Sequence, residues 1–264
     1  MTPTDTYVHE INASKESKEF NDSPDSPDLR IHTFEFGSER YRTNSADILA
    51  YYQRAVRKHG HDPRALGWSS ELNQEQRFRA FFLGNDWLDQ PSVLDVGCGQ
   101  GDFFGFLDRQ GLSVRYLGID FCPEQLAIAR DMYPGAVFEE SDGLDFKTNE
   151  LFDVVVGSGL VNHLQVDPEL KQVSLHRSEK QNAAIKAQQM AYFKNVLAKL
   201  WSYSDSVVML NMLSTHTPKL KQHPHLFFYY EPAEVLDLCL ELTPYVSLHH
   251  NYLIQDFSVI LNKG

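Results

Sequence analysis

The segment Val93–Gly101, which reads VLDVGCGQG, constrains the fold of this chain more than any other part of its sequence. A short apolar run leads into three closely spaced glycines, Gly97, Gly99 and Gly101, and an amphipathic segment starts at Phe103. Glycine tolerates positive φ and lets a ligand approach the backbone closely. A helix that begins just after such a turn presents free N–H groups and the positive end of its dipole. The pattern therefore predicts a strand, a turn and a helix, with a turn that binds a carboxylate, a phosphate or another polar group.

From residue 92 onward, short apolar runs alternate with amphipathic segments, which is the pattern of βαβ units on a parallel sheet. The predicted strands are Ser92–Val96, Val114–Ile119, Ala136–Glu139, Phe152–Gly157 and Ser206–Leu213. The predicted helices are Phe103–Gln110, Pro123–Met132, Gln181–Trp201 and Pro232–Leu240. Two apolar runs near the C-terminus are close enough to predict an antiparallel hairpin. They are Tyr245–Tyr252 and Asp256–Leu261.

Two amphipathic helices are predicted before this α/β region. The first spans Ala46–Lys58, begins after a capping Ser45 and ends at Gly60. The second spans Glu71–Gly84. Its predicted buried stripe consists of Leu72, Phe78, Phe81 and Phe82. A short strand is predicted over Arg30–Phe36, where apolar and polar residues alternate.

Composition divides the chain into three parts. Residues 1–28 are polar and contain several Ser and Pro, which predicts a disordered tail. Residues 29–90 are expected to form an N-terminal extension with a helical cap, and residues 91–264 the main domain. The sequence contains neither a signal peptide nor a run of about 18 apolar residues, so no membrane span is predicted. Because the three cysteines form no CxxC pair, a cytoplasmic protein is expected.

Charge and histidine spacing weigh against two classes of ligand. The net charge is −12, whereas nucleic-acid binding depends on Lys and Arg that neutralise phosphates. DNA or RNA is therefore a poor first expectation, although a local basic patch is compatible with this balance. The pairs His223/His225 and His249/His250 lack a third ligand at a usable spacing, so no metal is predicted.

Asp120 ends the second predicted strand, about twenty residues after Gly99, where an acidic residue binds both hydroxyls of a ribose. A nicotinamide-dinucleotide fold would share this feature, but its turn reads G-x-G-x-x-G/A beside a pyrophosphate. Here Asp102 occupies the third glycine position and Asp95 precedes the turn. Both carboxylates would repel a pyrophosphate, and they suit a ligand that carries an ammonium group.

The pattern Asp95-x-Gly97-x-Gly99-x-Gly101 resembles motif I of the class I S-adenosylmethionine-dependent methyltransferases. Three later stretches resemble further motifs of this family in order and spacing, namely Gly118–Phe121, Glu140–Gly143 and Phe152–Gly159. The resemblance runs from about Ser92 to the C-terminus. It implies a Rossmann-like fold with a mostly parallel seven-stranded sheet, an antiparallel terminal strand and helices on both faces. The segments His59–Phe82 and Phe227–Cys239 also resemble a bacterial subgroup with an N-terminal helical extension.

The resemblance implies that S-adenosylmethionine is the methyl donor and S-adenosylhomocysteine the product. Asp95 and the three glycines would hold the donor, and Asp120 would bind its ribose or else only cap the next helix. Phe121 would stack on the adenine or pack on the sheet. Asp142 would approach the adenine amine beside Gly143, or remain a solvated turn residue. Ser158 and Gly159 would lie beside the methionine part.

The remaining candidates have two interpretations each. Arg77 binds the donor carboxylate or is a solvated helix charge, and Trp68 covers the donor or anchors the cap. Asn162 is a candidate contact of the methyl acceptor. The adjacent His163 is either a general base or a packed residue. Tyr229 and Tyr230 line the acceptor pocket or pack in the core.

These features together predict an enzyme that methylates oxygen or nitrogen of a small polar acceptor. Three alternatives stay open from the sequence. The chain is a non-catalytic S-adenosylmethionine-binding module that acts through partners, a methyltransferase acting on protein or RNA, or a dinucleotide oxidoreductase. The sequence specifies neither the acceptor nor the oligomeric state.

Overall fold

The computed structural model describes residues 31–36, 39–68, 70–84, 87, 89–166, 170 and 177–264, with side chains from residue 45 onward. The predicted tail, residues 1–28, lies outside the described residues. The strands are β1 Ile31–Phe36, β2 Glu39–Asn44, β3 Ser92–Val96, β4 Arg115–Asp120, β5 Val137–Glu140, β6 Phe152–Ser158, β7 Ser204–Leu213, β8 Val246–Leu253 and β9 Asp256–Asn262. The helices are α1 Ala46–His59, α2 Glu71–Ala80, α3 Asp102–Arg109, α4 Pro123–Met132, α5 Glu179–Tyr203 and α6 Pro232–Leu240. Two short 3-10 turns occupy Pro63–Leu66 and Lys219–Lys221.

Seven strands form one mixed sheet in the order β5-β4-β3-β6-β7-β9-β8. The first five strands of this order are parallel, and β9 pairs antiparallel with both β7 and β8. The predicted Rossmann-like fold with an antiparallel terminal hairpin is therefore confirmed. A separate hairpin of β1 and β2 precedes the sheet, although the sequence analysis predicts only its first strand.

Successive side chains of the buried strands point to opposite faces of the sheet, and this divides the apolar core into two layers. In β6, Val155 belongs to one apolar cluster, whereas Val154 and Val156 belong to the other. This follows from the two-residue period of a strand, which sends successive side chains to opposite faces. Helices α5 and α6 cover the first face, and α2, α3 and α4 cover the second. Helices on both faces are thus confirmed.

The predicted buried stripe of α2 is partly wrong. Leu72 is 66% exposed, while the buried face of the helix contains Gln74, Arg77 and Phe78, with Phe81 just beyond its end. These four residues follow the i, i+3, i+4, i+7 spacing of one helix face, and Leu72 lies on the opposite side. The apolar pattern predicts the wrong buried face because two buried positions of α2 are polar. These are Gln74, which pairs with Asp102, and Arg77, which pairs with Asp256.

The cap consists of α1, the first 3-10 turn and α2, and it lies over the carboxyl ends of the parallel strands. Gln100 donates from Nε2 to the Gly60 carbonyl at 2.9 Å, and Gln125 donates from Nε2 to the Ala65 carbonyl at 3.2 Å. Both glutamines lie on loops or helices of the sheet domain, so the cap is tied to it by buried hydrogen bonds. Among the described residues, no helix is both long and apolar enough to cross a membrane.

Candidate active site

A cavity of about 1040 Å³ opens where the parallel strands end and where the cap covers the sheet. Ligands of open α/β sheets bind at this edge, outside the carboxyl ends of the strands. Most of the predicted site residues line this cavity: Trp68, Arg77, Asp95, Gly97, Gly99, Asp120, Phe121, Asp142, Gly143, Ser158, Asn162, His163 and Tyr229. Gly101 and Tyr230 do not line it.

The glycine turn is held against β4 and covered by the cap. The N–H groups of Gly97 and Cys98 both donate to the Ile119 carbonyl, at 2.8 and 3.0 Å. Gly99 has a φ of 55°, and a Cβ there would lie 2.5 Å from Cδ2 of Leu66 in the first 3-10 turn. The positive φ favours glycine at this position, and the absence of a side chain leaves room for Leu66 of the cap.

Gly101 has a different role from the predicted donor contact. Its φ is 76°, and a Cβ would lie 2.7 Å from Cζ of Phe138 on β5. The third glycine of the motif therefore lets α3 start close to the sheet, and it faces the apolar layer rather than the cavity.

Asp120 lies at the end of β4 with both carboxylate oxygens engaged by backbone donors. Oδ2 accepts from the Gly99 N–H at 2.9 Å, and Oδ1 accepts from the Cys122 N–H at 2.8 Å. Burial raises the pKa of this carboxyl to about 6, although these hydrogen bonds oppose the shift. Each oxygen keeps a further lone pair, so Asp120 both orders the turn and remains able to accept hydrogen bonds from a ligand.

Asp95 is a second buried carboxyl at the glycine turn. Its Oδ2 accepts a hydrogen bond from the Tyr116 hydroxyl at 2.6 Å, and only 2% of the residue is exposed. Burial raises its pKa to about 7, and the neighbouring Asp120 and Asp102 raise it further while the Tyr116 hydroxyl lowers it. Such a shift means that a cation placed here would be favoured, because it would stabilise the ionised form.

The turn after β5 is rigid and tied to α5. Oδ1 of Asp142 accepts from the Leu144 N–H at 2.9 Å, and the residue is 8% exposed. The Tyr203 hydroxyl is 3.1 Å from the Gly143 carbonyl and 2.7 Å from the Phe146 carbonyl, positioned to donate to either oxygen. The solvated alternative for Asp142 is therefore wrong in this structure.

The end of β6 is fixed by a buried asparagine of β7. Oδ1 of Asn211 accepts from the Gly159 N–H at 2.9 Å, and the Ser158 hydroxyl lies 3.4 Å from the same oxygen. Gly159 has a φ of 71°, and a Cβ there would lie 2.5 Å from Cη2 of Trp68. Trp68 thus packs directly on the end of β6 and also lines the cavity.

Arg77 forms a buried ion pair, so neither interpretation drawn from the sequence, a ligand of the donor carboxylate or a solvated charge, is correct. Its Nε and Nη2 donate to the two carboxylate oxygens of Asp256 at 2.9 and 2.6 Å, and Nη1 donates to the Asn73 carbonyl at 3.0 Å. The guanidinium carbon lies 4.3 Å from the ring centroid of Trp68. Arg77 is 4% exposed and Asp256 is fully buried. The fork therefore anchors the cap to β9 and supports Trp68, so it is neither solvated nor free to bind a donor carboxylate.

His163 lines the cavity within an aromatic group. Its Nε2 is 3.1 Å from the Tyr52 hydroxyl, and the rings of Tyr51, Tyr52 and Phe227 have centroids 5.1, 5.3 and 5.0 Å from the imidazole. Burial raises the pKa of Tyr52 far above its ordinary value, so this phenol keeps its proton. Asn162 beside it accepts from the Leu213 N–H at 2.9 Å through Oδ1.

Tyr229 lines the cavity, whereas the adjacent Tyr230 is buried in the core. Tyr229 is partly buried at the cavity, and its hydroxyl accepts from the His223 N–H at 2.8 Å. Tyr230 is fully buried, donates to the Val161 carbonyl at 2.9 Å and accepts from Nε2 of Gln189 at 2.9 Å. An acceptor contact by Tyr230 is therefore wrong, because the side chain belongs to the core.

The comparisons with known proteins agree with this geometry. A family model described as a methyltransferase domain matches residues 93–178. A protein of Mycobacterium tuberculosis that is named as a methyltransferase is 26% identical over 181 residues, which cover 67% of this chain and 95% of that protein. The demethylmenaquinone methyltransferase of Chlorobaculum tepidum is 31% identical over 126 residues, which cover 42% of this chain and 51% of the relative. Residues 93–178 match a methyltransferase domain, and these findings together support a class I S-adenosylmethionine-dependent methyltransferase.

Solved structures of methyltransferases share the fold. The N-methyltransferase NodS of Bradyrhizobium japonicum, in complex with S-adenosylhomocysteine, has a TM-score of 0.53 at 14% identity over 80% of this chain and 97% of its own. An S-adenosylmethionine-dependent methyltransferase of Archaeoglobus fulgidus has a TM-score of 0.51 at 15% identity over 73% of this chain and 94% of its own. The methyl donor of this methyltransferase is S-adenosylmethionine.

The lining of the cavity fits this donor chemically. S-adenosylmethionine carries a sulfonium and an ammonium charge, and the carboxyl ends of β3, β4 and β5, together with the segments that follow them, contribute carboxyl groups to the lining. These are Asp95, Asp102, Asp120 and Asp142. Carboxylates attract such charges and accept hydrogen bonds from ribose hydroxyls.

Several residues of the methyltransferase site were missed by the sequence analysis. Tyr52, Tyr203 and Asn211 are not among the candidate site residues of the sequence analysis. A buried asparagine at the end of a strand is a usable signal for Asn211, because an amide side chain there needs partners. No comparable signal in the sequence connects Tyr52 to His163, 111 residues away.

Proposed function

We propose that this methyltransferase transfers the methyl group to oxygen or nitrogen of a small polar acceptor. The observation that carries the proposal is the continuity of the cavity, whose lining includes both Asp120 and His163 beneath α1. Its volume of about 1040 Å³ is at the upper end of ordinary ligand pockets, which suits a donor together with a small acceptor.

We assign the donor to the half of the cavity below the turns after β3, β4 and β5. Asp120 accepts hydrogen bonds from the ribose hydroxyls, and the turn of Gly97 and Gly99 allows the donor close to the backbone. Asp95 faces the donor ammonium. Asp142 and Gly143 contact the adenine amine, and Phe121 stacks on the ring.

The methionine part lies at the end of β6 beside Ser158 and Gly159, beneath Trp68. Because Trp68 already covers Gly159, the cap excludes water from this part of the cavity. S-adenosylmethionine supplies an activated methyl group, so alignment of the attacking atom contributes a large share of the rate.

The acceptor half is formed by Asn162, His163 and Tyr229. His163 accepts the proton that the acceptor atom loses, and the Tyr52 hydroxyl beside Nε2 orients the imidazole. A base matters where the acceptor proton must leave before or during transfer. The named activities of relatives support a small acceptor. They include demethylmenaquinone methyltransferase and trans-aconitate 2-methyltransferase, which match only part of this chain.

The proposal is tested in two steps with the full chain. Calorimetry with S-adenosylhomocysteine and with NAD measures donor-site binding, and only the former is expected to bind. Transfer of a radiolabelled methyl group is then followed into the small-molecule, protein and RNA fractions of an extract. Label in the small-molecule fraction supports the proposal. Label confined to protein or RNA would overturn the acceptor assignment.

A further inference from the structure

The loop after β7 has an unusual charge composition for this chain. The chain contains 36 acidic residues in 264 and has a net charge of −12. Residues 214–230, which lie between β7 and Glu231, nevertheless contain no Asp or Glu. The same stretch carries five residues with basic side chains: His216, Lys219, Lys221, His223 and His225. A basic loop in an acidic protein is a feature that the donor site does not explain.

The strand order places this loop on the half of the cavity opposite the carboxylates. The acidic lining residues lie at the ends of β3, β4 and β5 or just after them, and these strands form one side of the sheet. The basic loop follows β7, and β6 lies between the two sides. Lys221, His223 and His225 line the cavity from this second side. On the sheet side, the acidic residues and the basic loop therefore lie at opposite ends of the cavity, while the cap contributes basic residues of its own, Arg54, Lys58 and Arg64.

Backbone pairing fixes the basic loop beside the proposed base. His163 and Phe227 form an antiparallel bridge, and the Leu164 N–H donates to the Leu226 carbonyl at 2.9 Å. The hydroxyl of Tyr229 accepts from the His223 N–H at 2.8 Å. The loop thus reaches the acceptor side of the site with a defined backbone position.

Within the described residues, Lys221, His223 and His225 make no ion pair, whereas Lys186 and Lys194 pair with glutamates at 2.5 Å. Burial lowers the pKa of His225, and the charges of His223 and Arg177 lower it further. Like charges gathered at a cavity are stabilised when an anion binds between them.

A buried amide adds a further polar group on this side. Gln165 is 5% exposed and lines the cavity, and its Oε1 has no hydrogen-bond partner among the described residues. Its N–H donates to Oε1 of Gln189 at 2.7 Å, which fixes the backbone but leaves the Gln165 side-chain oxygen unsatisfied. A buried acceptor without a partner is costly unless a ligand supplies a donor.

We propose that the methyl acceptor is a small anion whose carboxylate or phosphate group binds Lys221 and His223. Its hydroxyl or amino group lies near Gln165 and His163, where the methyl group is received. This inference rests on the proposed function, since it defines the acceptor of the same site. In this arrangement the anionic group of the acceptor binds on the β7 side of β6, whereas the carboxyl groups assigned to the donor lie on the β3 side.

The test uses the full chain saturated with S-adenosylhomocysteine, at pH 7 and low ionic strength. Inorganic phosphate and succinate are titrated separately by calorimetry, and sodium chloride serves as the screening control. At least one of the two anions is expected to bind, and which one binds identifies the anionic group. Lys221→Gln is expected to weaken that binding about tenfold, because a charge-assisted contact is lost. Lys219→Gln is the matched control, since Lys219 lies on the same 3-10 turn but does not line the cavity.

The outcomes separate this inference from the proposed function. If neither anion binds the saturated enzyme, or if both lysine variants bind equally well, the anionic acceptor is overturned. Methyl transfer to small molecules would in that case still stand, with a neutral acceptor. If label is instead confined to protein or RNA while the anion still binds, the proposed small acceptor fails. Unchanged affinity for S-adenosylhomocysteine in Lys221→Gln is also required, because a loss would assign the cation to the donor carboxylate.

Discussion

The two halves of the cavity are built in different ways. The proposed donor half lies at the ends of β3, β4 and β5 and in the turns that follow them, where each candidate residue is fixed by its own turn or by the neighbouring strand. Asp120, for example, is held by the N–H groups of Gly99 and Cys122. The acceptor half joins α1, the turn after β6 and the loop after β7, as in the contact between Tyr52 and His163. The first half can be predicted from sequence because its contacts join residues that are close in the sequence or in adjacent strands. The second half cannot, because its contacts join elements that are far apart in the sequence.

The largest expected effect concerns the long-range anchor of the cap. Arg77→Met leaves the fully buried Asp256 without its partner, which costs about 3–5 kcal/mol of unfolding free energy. Chemical denaturation of the full chain measures this loss. Arg79→Met is the matched control on the same helix, because its pair with Glu75 is exposed and contributes about 0.5 kcal/mol. Equal losses in both variants would remove the anchoring role.

Asp120→Ala tests the local half directly. Loss of the charged acceptor for two ribose hydroxyls is expected to weaken S-adenosylhomocysteine binding about a hundredfold, near 3 kcal/mol. Calorimetry measures the affinity, and circular dichroism checks that the fold is retained. Asp108→Ala, at an exposed carboxylate of α3, is expected to bind like the native chain. Native affinity in Asp120→Ala would remove the ribose contact from the proposal.

His163→Gln tests the acceptor half in the same manner. The turnover number is expected to fall about a hundredfold, while S-adenosylhomocysteine affinity stays the same, because we place the imidazole in the acceptor half of the cavity. Steady-state kinetics and calorimetry measure the two quantities separately. Tyr52→Phe is expected to cause a smaller loss of turnover, since the imidazole remains but loses the hydroxyl beside Nε2. Unchanged turnover in His163→Gln would leave this histidine as a packing residue.

A pH titration distinguishes the halves through the carboxyl of Asp120. Burial raises its pKa to about 6, so the carboxyl is mostly protonated at pH 5 and loses its charged acceptor oxygen. If the donor binds the ionised form, lowering the pH from 7 to 5 weakens S-adenosylhomocysteine affinity about tenfold. Calorimetry across this range measures the change. Asp120→Asn should lose this dependence, and a dependence that persists in that variant would assign it to another group such as Asp95.

The predictable part of the molecule is the part whose information is local. The strand β3, the glycine turn and Asp120 follow from a continuous pattern, because turn geometry and strand ends depend on neighbouring residues. Arg77 was misassigned because its partner, Asp256, is 179 residues away and looks in sequence like the start of a surface hairpin. Leu72 was misassigned because the burial of Gln74 and Arg77 defines the α2 face, and burial of polar residues is not visible without their partners.

The adjacent tyrosines of the loop after β7 give the smallest and sharpest test of the comparison. Tyr230→Phe removes a buried hydroxyl that bonds the Val161 carbonyl and Gln189, so unfolding free energy is expected to fall by about 1 kcal/mol, or roughly 3 °C in Tm. Its kinetic constants should not change, because Tyr230 does not line the cavity. Tyr229→Phe removes the hydroxyl that holds the His223 N–H, so the KM for the acceptor should rise with little change in Tm. Thermal denaturation and steady-state kinetics of both variants decide between them. A reversed result, with Tyr230→Phe raising KM at unchanged Tm, would place the acceptor wall one residue further along the loop.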